Sequence, residues 1–469
     1  MHIDDPIRER YASKEMVEIF SSEHRYKLWR KLWITLAEAQ KELGLPITNE
    51  QIKELKEYEN TLNLDVAEEY EKKFKHDVMA HIHAYGAQCK NAAKIIHLGA
   101  TSCYVTDNAD LVIAKEAFLV IRKKLINIIN NLASFALHYK DLPCLSYTHM
   151  QPAQPTTVGK RACGWIYDLM MDFNELENCI EKLPFRSIKG TTGTYASFIK
   201  LFNNDAQKVF KLESKISERM GFKNTVPIAG QTYSRKIDIT QFVVLTQIAT
   251  SAAKFAQDIR FLQSHNELQE YFSKDQVGSS AMPYKQNPMK CERINSLARY
   301  IGTMITNPIM TAQTQFLERT LDDSANRRIV LSEGFLLTDA ILELYLAVSS
   351  NLVVHKEIIE ERLLNYLPIF ASENILMEAV KKGGNRQELH NKLRELTLLA
   401  KTNPNFNLTK GLKEESLFKS IAEQIDSLIH PSECIGLAEE VTTKYIKEEV
   451  LPLLNTYKEF LGIKSGVRK

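Results

Sequence analysis

A polar loop at residues 277–290, VGSSAMPYKQNPMK, carries the side chains in this sequence that are best suited to chemistry. The hydroxyl of Ser279 and the amide of Asn287 can donate hydrogen bonds, and the ammonium of Lys285 can hold an anion. Because Gly278 supplies a hinge, such a loop can close over a ligand and expel water. A plain connector between two helices is the alternative, and the loop by itself leaves both interpretations open.

A second polar insertion, YTHMQPAQPTTVGKR at residues 147–161, contains His149. Histidine exchanges protons near neutral pH and often acts as the acid or base in enzymes. The alternative is structural: His149 would bond a backbone carbonyl where a helix starts, and a single histidine favours that interpretation.

A third insertion, FKHDVMAHIHAYG at residues 74–86, begins with Lys75, His76 and Asp77 after a phenylalanine. His76 and His83 share a helical face but stand two turns apart, about 10.5 Å, whereas zinc-binding histidines on a helix are usually four residues apart. We therefore expect no metal site here. The interpretation that remains is a polar corner that faces a pocket.

Two more segments could contact a ligand. HLGATSCYVTDN places Thr101 and Ser102 just before a long apolar segment, where capping of a helix is the favoured interpretation. ERTLDDSANRR offers Arg319, Ser324, Arg327 and Arg328, either as a charged helix face or as a clamp for phosphate or carboxylate groups. Hydroxyl, imidazole and cationic groups without a dinucleotide motif indicate an enzyme that acts on a polyanionic small molecule.

Composition limits the partners and the compartment. The chain has 469 residues, and 60 Lys and Arg against 58 Asp and Glu leave a net charge of only +2. That balance argues against nucleic acid or an anionic membrane as a partner. The seven cysteines are dispersed, which indicates reduced thiols. Neither a signal peptide nor an apolar span of about 18 residues occurs, so we expect a cytoplasmic protein without a membrane partner.

Long segments without Gly or Pro predict long helices. They cover residues 100–142, 231–277 and 335–367, and the second would run about 70 Å if it were wholly helical. Apolar residues recur every seven positions in the first two segments, as in helices packed lengthwise in a bundle. The repeats are Leu111, Phe118, Leu125 and Leu132, and then Phe242, Ala249 and Ala256.

These elements predict an all-α protein. Only 18 Gly and 14 Pro occur, and the flanking regions contain shorter apolar periods than the centre. We predict three helical domains: an N-terminal domain at 1–101, a central bundle of long helices at 102–354 that forms the oligomer core, and a C-terminal domain at 355–469.

The loop GSSAMPYKQNP (278–288) resembles the signature loop of the fumarase/aspartase superfamily. Further segments resemble the adenylosuccinate lyase family in its animal-like form, and they follow one another along most of the chain. They are RYAS (10–13), HDVMAH (76–81), IHLGATSCYVTDN (96–108), THMQPAQPTTVGKR (148–161), KGTTGT (189–194), GQTYSRK (230–236), ERTLDDSANRR (318–328) and ENILMEAVKKGGNRQELH (373–390).

The resemblance implies a fumarase/aspartase-like, all-helical fold and a homotetramer whose active sites combine segments of three subunits. It also implies a reaction: elimination of fumarate from adenylosuccinate to give AMP, and from the succinylo-carboxamide ribotide SAICAR to give AICAR. No cofactor or metal is implied.

By the same resemblance, Ser279 is the catalytic base and His149 the catalytic acid. The remaining positions would bind substrate, with His76 supporting the acid end. The succinyl part would be held by Thr101, Ser102, Gln231, Lys285 and Asn287, and the nucleotide by Arg10, Tyr11, Arg293, Arg319, Ser324 and Arg328, with Lys75 and Asp77 beside them. Lys75 stands where animal relatives usually carry arginine, so we expect an altered nucleotide contact, since lysine lacks the bidentate fork.

Two alternatives remain at this point. The signature loop alone would also fit another lyase of the superfamily, such as argininosuccinate lyase or fumarase, but RYAS and TLDDSANRR supply arginines that substrates without phosphate do not need. A non-catalytic helical scaffold would keep the bundle and lose the site, whereas here Ser279, His149, Lys285 and Asn287 are all present.

Overall fold

The computed structural model describes residues 5–466, so the outermost residues of the first and third predicted domains lie outside it. Helices make up 69% of the structure, which confirms the all-α prediction. The α-helices are α1 (Lys14–Ile19), α2 (Ser22–Glu42), α3 (Asn49–Glu57), α4 (Leu64–Phe74), α5 (Asp77–Gln88), α6 (Cys103–His138), α7 (Val158–Lys182), α8 (Ala196–Leu201), α9 (Ala206–Arg219), α10 (Lys236–Ser264), α11 (Met289–Met304), α12 (Thr306–Gln313), α13 (Asp322–Ser349), α14 (Lys356–Phe370), α15 (Ser372–Lys381), α16 (Arg386–Thr402), α17 (Leu408–Glu414), α18 (Ile425–Leu428), α19 (Pro431–Cys434), α20 (Ala438–Tyr445) and α21 (Leu451–Thr456).

Short helical turns of other types and four short strands complete the described chain. Two π-helical turns lie at Ile7–Tyr11 and Ile446–Val450, and 3₁₀ turns lie at Ala93–Ile95, Ser416–Gln424 and Lys458–Phe460. The strands form two antiparallel pairs, β1 (Pro143–Thr148) with β2 (Gln151–Thr157) and β3 (Leu268–Gln269) with β4 (Val353–Val354). Within residues 5–466, no helix combines the length and the apolar character that crossing a membrane requires.

The long helices α6, α7, α10, α11 and α13 pack against one another as a central bundle. The heptad residues predicted to be buried are buried: Leu111, Phe118, Leu125 and Leu132 are all fully inaccessible, as is Phe242 on α10. Small residues on the α10 seam let neighbouring backbones approach closely.

Three main hydrophobic cores accompany this bundle. The central core contains most of α6 but also Ile446, Val450 and Leu454, so the chain returns to the bundle near its end. A second core joins α2 to the first turns of α6 and to residues 183–233, and a third lies within residues 371–425. The predicted domain boundaries stay a prediction.

The second gap in Gly and Pro is not helical throughout. Helix α10 has 29 residues, about 43 Å, and ends at Ser264. Asn266 then takes a left-handed backbone conformation, with φ of 56°, and the chain enters β3. Asparagine tolerates that conformation better than most residues, which is why the helix stops here without Gly or Pro.

A β-hairpin, which the sequence analysis did not predict, connects α6 to α7. Its base is tight: a Cβ atom at Gly159 would lie 2.3 Å from the carbonyl oxygen of Ala136, so only glycine lets α7 start this close to α6. Thr157 then caps α7 by accepting a hydrogen bond from the Lys160 amide at 3.1 Å. The hairpin therefore leaves the bundle from a fixed base.

Candidate active site

A cavity of about 680 Å³ opens where several helices begin. Residues at or next to the first turns of α5, α6, α10 and α13 line it, together with residues of α2. Because the amino-terminal end of a helix carries a partial positive charge, this arrangement favours an anionic ligand. Side-chain charge adds to the effect, since seven Lys and Arg side chains line the cavity against five Asp and Glu.

The cavity brings together eight of the residues that the sequence analysis assigned to substrate binding. They are Lys75, His76, Asp77, Ser102, Gln231, Arg319, Ser324 and Arg328. Thr101 adjoins them, because its hydroxyl oxygen accepts a hydrogen bond from the Gln231 side-chain amide at 3.1 Å. These positions are separated by up to about 250 residues of sequence, and the fold of the bundle places them on one surface.

His76 and Ser102 meet at the rim of the cavity. His76 precedes α5 and caps it, its Nδ1 accepting from the Met79 amide at 3.4 Å. Its Nε2 lies 3.3 Å from the hydroxyl oxygen of Ser102. If Nδ1 is the acceptor, the neutral ring carries its proton on Nε2 and donates to Ser102. Ser102 occupies the N-cap position of α6, but its side chain makes no capping hydrogen bond there and contacts His76 instead.

The other two histidines of the third insertion are part of the packing. His81 stacks on Tyr26 with ring centroids 3.8 Å apart, and burial lowers the pKa of His81 to about 4. His83 packs on Phe74. Within the described part of the chain, no three His, Cys, Asp or Glu side chains are grouped as metal ligands would be.

Two of the arginines that were predicted to bind substrate are held by carboxylates. Arg328 donates to Asp77 at 2.9 Å, which joins α13 to the start of α5. Arg319 donates to Asp323 at 2.8 Å, one turn further along the chain. Lys75 ends α4 in a left-handed conformation, with φ of 55°, and lines the cavity beside them. These contacts leave donor groups on both arginines for a ligand, since a guanidinium has five.

A network of buried charges lies beneath these residues, and the sequence analysis missed it. Arg235 donates to Asp323 at 2.8 Å and to Asp107 at 3.1 Å, and all three side chains are almost fully buried. Burial acts to lower the pKa of Arg235, but Asp107, Tyr233 and Asp238 together outweigh it and raise that pKa. Arg235 therefore keeps its charge and fixes Asp323, the partner of Arg319.

A second branch of the network holds the neighbouring helices. Arg327 donates to Asp238 at 2.7 Å and to Asp110 at 3.1 Å, and Asp110 also accepts from Arg25. Burial acts to raise the pKa of Asp110, but Arg25 and Arg327 outweigh it and lower that pKa. One feature of the sequence could have indicated this network: Asp and Arg occur among the apolar residues of predicted helices. Charged residues at such positions are rarely buried without partners.

His149 occupies the tip of the β1–β2 hairpin. Thr148 pairs with Gln151, so His149 and Met150 form a two-residue turn, and both have positive φ, 51° and 59°. Such a turn usually carries Asn-Gly or Asp-Gly, which explains why no hairpin was predicted here. The tip is exposed, with 73% of Met150 accessible. His149 therefore projects from its own chain and does not line the cavity.

Ser279 lies in the signature loop, residues 278–288, before α11. Its hydroxyl oxygen accepts from the backbone amides of Met282 at 3.0 Å and Ala281 at 3.3 Å. Asn287 donates to the carbonyl oxygen of Gly278 at 2.8 Å and so joins the two arms of the loop. A Cβ atom at Gly278 would lie 2.0 Å from the Lys285 carbonyl oxygen, so the arms close this tightly only around glycine.

The predicted site residues thus fall into two groups at opposite ends of α10. The cavity surrounds its first turns, where Arg235 and Gln241 line the wall. At its other end, Gln263 donates to the carbonyl oxygen of Gln286 in the signature loop at 2.9 Å. The ring of Tyr147, next to the hairpin tip, packs on Phe261 with centroids 4.9 Å apart. Within one chain, His149 and Ser279 are therefore separated from the cavity by roughly the length of α10, about 43 Å.

Three further predicted residues also lie outside the cavity wall. Arg10 and Tyr11 lie in the turn Ile7–Tyr11, which packs against α13, and Arg8 of that turn faces the cavity instead. Arg293 lies on the first turns of α11, directly after the signature loop.

Comparisons with known proteins agree with this architecture. The family described as "Lyase" matches residues 9–302, and "Adenylosuccinate lyase C-terminus" matches residues 368–445. Among solved structures, the 3-carboxy-cis,cis-muconate lactonizing enzyme of Pseudomonas putida has a TM-score of 0.84 at 19% identity and covers 97% of this chain and 100% of its own. A fumarate lyase from Mesorhizobium sp. BNC1 has a TM-score of 0.81 at 19% identity, covering 94% of this chain and 99% of its own. The fold is that of the fumarase/aspartase superfamily of lyases.

Curated relatives show which family of lyases the chain belongs to. Adenylosuccinate lyase of Saccharomyces cerevisiae is 46% identical over 97% of this chain and 96% of its own length. Adenylosuccinate lyase of Schistosoma mansoni is 43% identical over 99% of this chain and 98% of its own. The chain belongs to the adenylosuccinate lyase family, and it is a lyase.

Proposed function

We propose that this enzyme eliminates fumarate from adenylosuccinate to give AMP, and from SAICAR to give AICAR. The observation that carries the proposal is the cavity at the start of four helices, with its excess of cationic side chains. Both substrates combine a phosphate with two carboxylates, so they need such a surface. The names of the relatives at 43–46% identity support the choice of substrate.

The reaction requires a base and an acid on opposite sides of one bond. A base removes the proton from the carbon next to a carboxylate, and that electron pair becomes the new double bond of fumarate. The carbon–nitrogen bond breaks, and the leaving nitrogen takes a proton from an acid. We assign the role of base to Ser279, whose hydroxyl oxygen accepts from two backbone amides, and the role of acid to His149, which is exposed at the hairpin tip.

Ser279 needs help to act as a base, because an ordinary serine hydroxyl is a very weak one. The two amides that donate to its oxygen, at 3.0 Å and 3.3 Å, would stabilise an alkoxide. Lys285 adds a positive charge within the same loop. Lys285 and Asn287, with Thr101, Ser102 and Gln231, would hold the succinyl carboxylates.

The nucleotide would be held by the arginine groups. Arg319, Ser324 and Arg328 line the cavity, and Arg10, Tyr11 and Arg293 would complete the set from outside its wall. Arginine suits phosphate because its planar fork binds two oxygens at once. Lys75, beside His76 and Asp77, would bind the nucleotide with a single ammonium group instead of the planar guanidinium of an arginine.

We further propose a cytoplasmic homotetramer whose active sites are shared between subunits. The separation of the two groups along α10 supports it, since no substrate of this size spans about 43 Å. Large exposed apolar side chains support it too, because contact with another subunit would remove them from water. They are Ile228, Met310, Phe316, Leu317, Leu321 and Ile329, between 59% and 84% accessible.

The direct test is release of fumarate and AMP from adenylosuccinate by the purified protein, with argininosuccinate and malate assayed alongside as alternative substrates. We expect turnover of adenylosuccinate and none of the other two. Turnover of argininosuccinate instead would move the chain to another specificity in the superfamily. No turnover by a folded tetramer would overturn the proposal and favour a scaffold.

Arg328→Ala should separate phosphate binding from chemistry. If Arg328 contacts the phosphate, its loss removes a charged hydrogen bond, about 1.5–3 kcal/mol, which raises KM for adenylosuccinate about 10- to 100-fold. KM for the dephosphorylated nucleoside, succinyladenosine, should stay unchanged. Arg394→Ala, at an exposed position of helix α16, is the matched control. An equal rise in KM for both substrates would show that Arg328 does not read the phosphate.

A further inference from the structure

The two-residue strand β3 lies between the segments that carry His149 and Ser279. It follows the last turn of α10, pairs with β4, and is preceded by Glu267 and followed by Glu270. Both glutamates are 1% accessible. Buried carboxylates are costly unless several donors satisfy them, so their partners indicate why they are there.

Glu267 holds the hairpin of His149. One oxygen of its carboxylate, Oε1, accepts from the hydroxyl of Tyr147 at 2.6 Å and from Arg362 at 2.9 Å, and Arg362 also donates to the Tyr147 oxygen at 3.2 Å. Burial, followed by the contact with Glu267, raises the pKa of Tyr147 to about 12, so its hydroxyl stays a donor. Tyr147 lies two residues before His149. The triangle of Tyr147, Glu267 and Arg362 therefore fixes one strand of the hairpin close to its tip.

Glu270 closes the loop of Ser279. Its two oxygens accept from the Lys290 amide at 3.1 Å, and one also accepts from the Cys291 amide at 3.0 Å. These are the first amides of α11, whose preceding residue, Pro288, supplies no side-chain cap. A carboxylate at the start of a helix is favourable because it meets unpaired amides and the positive end of the dipole.

The same strand fixes the middle of the loop. The Glu270 amide donates to Gln263 at 3.3 Å, while Gln263 donates to the carbonyl of Gln286 at 2.9 Å and Gln269 donates to the Gln286 side chain at 3.2 Å. The arm that carries Lys285 and Asn287 is thus tied to β3. The arm that carries Ser279 is held through Asn287, through the turn at Gly278 and through Lys290, whose side chain donates to the carbonyl oxygen of Tyr271 at 3.3 Å.

We propose that Glu267 and Glu270 are positioning residues, which fix the His149 hairpin and the Ser279 loop on the common anchor of β3. Neither glutamate touches the reacting atoms. Each sets the place of a catalytic segment through a neighbour, Tyr147 in one case and the first turn of α11 in the other. The inference rests on the proposed roles of His149 and Ser279. A shift of about 1 Å in such a group can cost up to about a hundredfold in rate.

The test uses two conservative variants of the full-length enzyme. Tyr147→Phe removes one hydroxyl and keeps the ring on Phe261, and Glu270→Gln replaces one acceptor oxygen by an amide that cannot accept. We expect kcat for adenylosuccinate to fall about 10- to 100-fold in each, with KM within about twofold of the unaltered enzyme, because positioning acts on the transition state. Glu343→Gln, at a buried carboxylate paired with Lys124 on α6, is the matched control and should keep its kcat.

Hydrogen exchange gives a readout that does not depend on turnover. Tyr147→Phe should speed exchange in residues 143–157 and not in the loop, whereas Glu270→Gln should speed it in residues 271–291 and not in the hairpin. Exchange and kcat unchanged in both variants, or a loss of kcat shared by Glu343→Gln, would overturn the proposal. If the unaltered enzyme does not cleave adenylosuccinate, the proposed function fails, and the exchange pattern alone decides whether β3 anchors the two segments.

Discussion

Ser279→Ala is expected to lower kcat for fumarate release by about a thousandfold, with little change in KM. Removal of a catalytic base typically costs about 10²- to 10⁴-fold in rate. The hydroxyl oxygen of Ser279 accepts from two backbone amides, which would stabilise its negatively charged form. Alanine removes that oxygen and leaves Lys285 and Asn287 in place, so substrate still binds. Steady-state kinetics on adenylosuccinate, followed by fumarate absorbance, measures both constants.

Ser280→Ala is the matched control for this experiment. Ser280 is the adjacent residue, is exposed, and has the same chemical group, so the substitution tests whether any hydroxyl in the loop suffices. We expect Ser280→Ala to keep kcat within about threefold of the unaltered enzyme, since surface substitutions usually cost little stability. Full activity of Ser279→Ala, or equal losses in both variants, would remove Ser279 from the role of base and leave the family assignment intact.

The helices of the bundle could be predicted because their signal is local. A heptad of apolar residues such as the one on α6 needs only the sequence around it, and Leu111, Phe118 and Leu125 are buried as expected. The hairpin could not be predicted in the same way. Its turn is made by His149 and Met150, neither of which signals a left-handed conformation as strongly as glycine does.

Part of the cavity lining could be predicted by residue type, but its geometry could not. Lys75, His76 and Asp77 were expected at a pocket, and they line the cavity. The buried pairs beneath them join Arg235 to Asp107 across about 130 residues, and no local pattern indicates such a pair. The sequence likewise did not indicate that Arg8, and not Arg10, faces the cavity. The helical turn Ile7–Tyr11 determines which of the two side chains points there. Long-range packing, rather than sequence periodicity, sets these positions.

A mixture of two inactive variants is expected to recover activity if the active site is shared. His76 lies at the cavity near the start of α10, and Ser279 lies in the loop anchored at its other end. The two side chains of one chain are thus too far apart to meet on one substrate, given about 43 Å of helix between them. In a hybrid oligomer, however, a site can take an intact His76 from one chain and an intact Ser279 from another.

The experiment refolds His76→Ala and Ser279→Ala together and measures fumarate release. Random mixing leaves about a quarter of the sites with both side chains intact, so activity should reach about a quarter of that of the unaltered enzyme. The matched control mixes Ser279→Ala with Lys285→Ala. Ser279 and Lys285 lie in the same loop, and each variant chain has lost one of them. Every loop in a hybrid oligomer therefore lacks one of the two residues, and no activity should return. Hybrid oligomers that form without regaining activity in the first mixture would show that each site is built by a single chain, and the proposal of shared sites would fail.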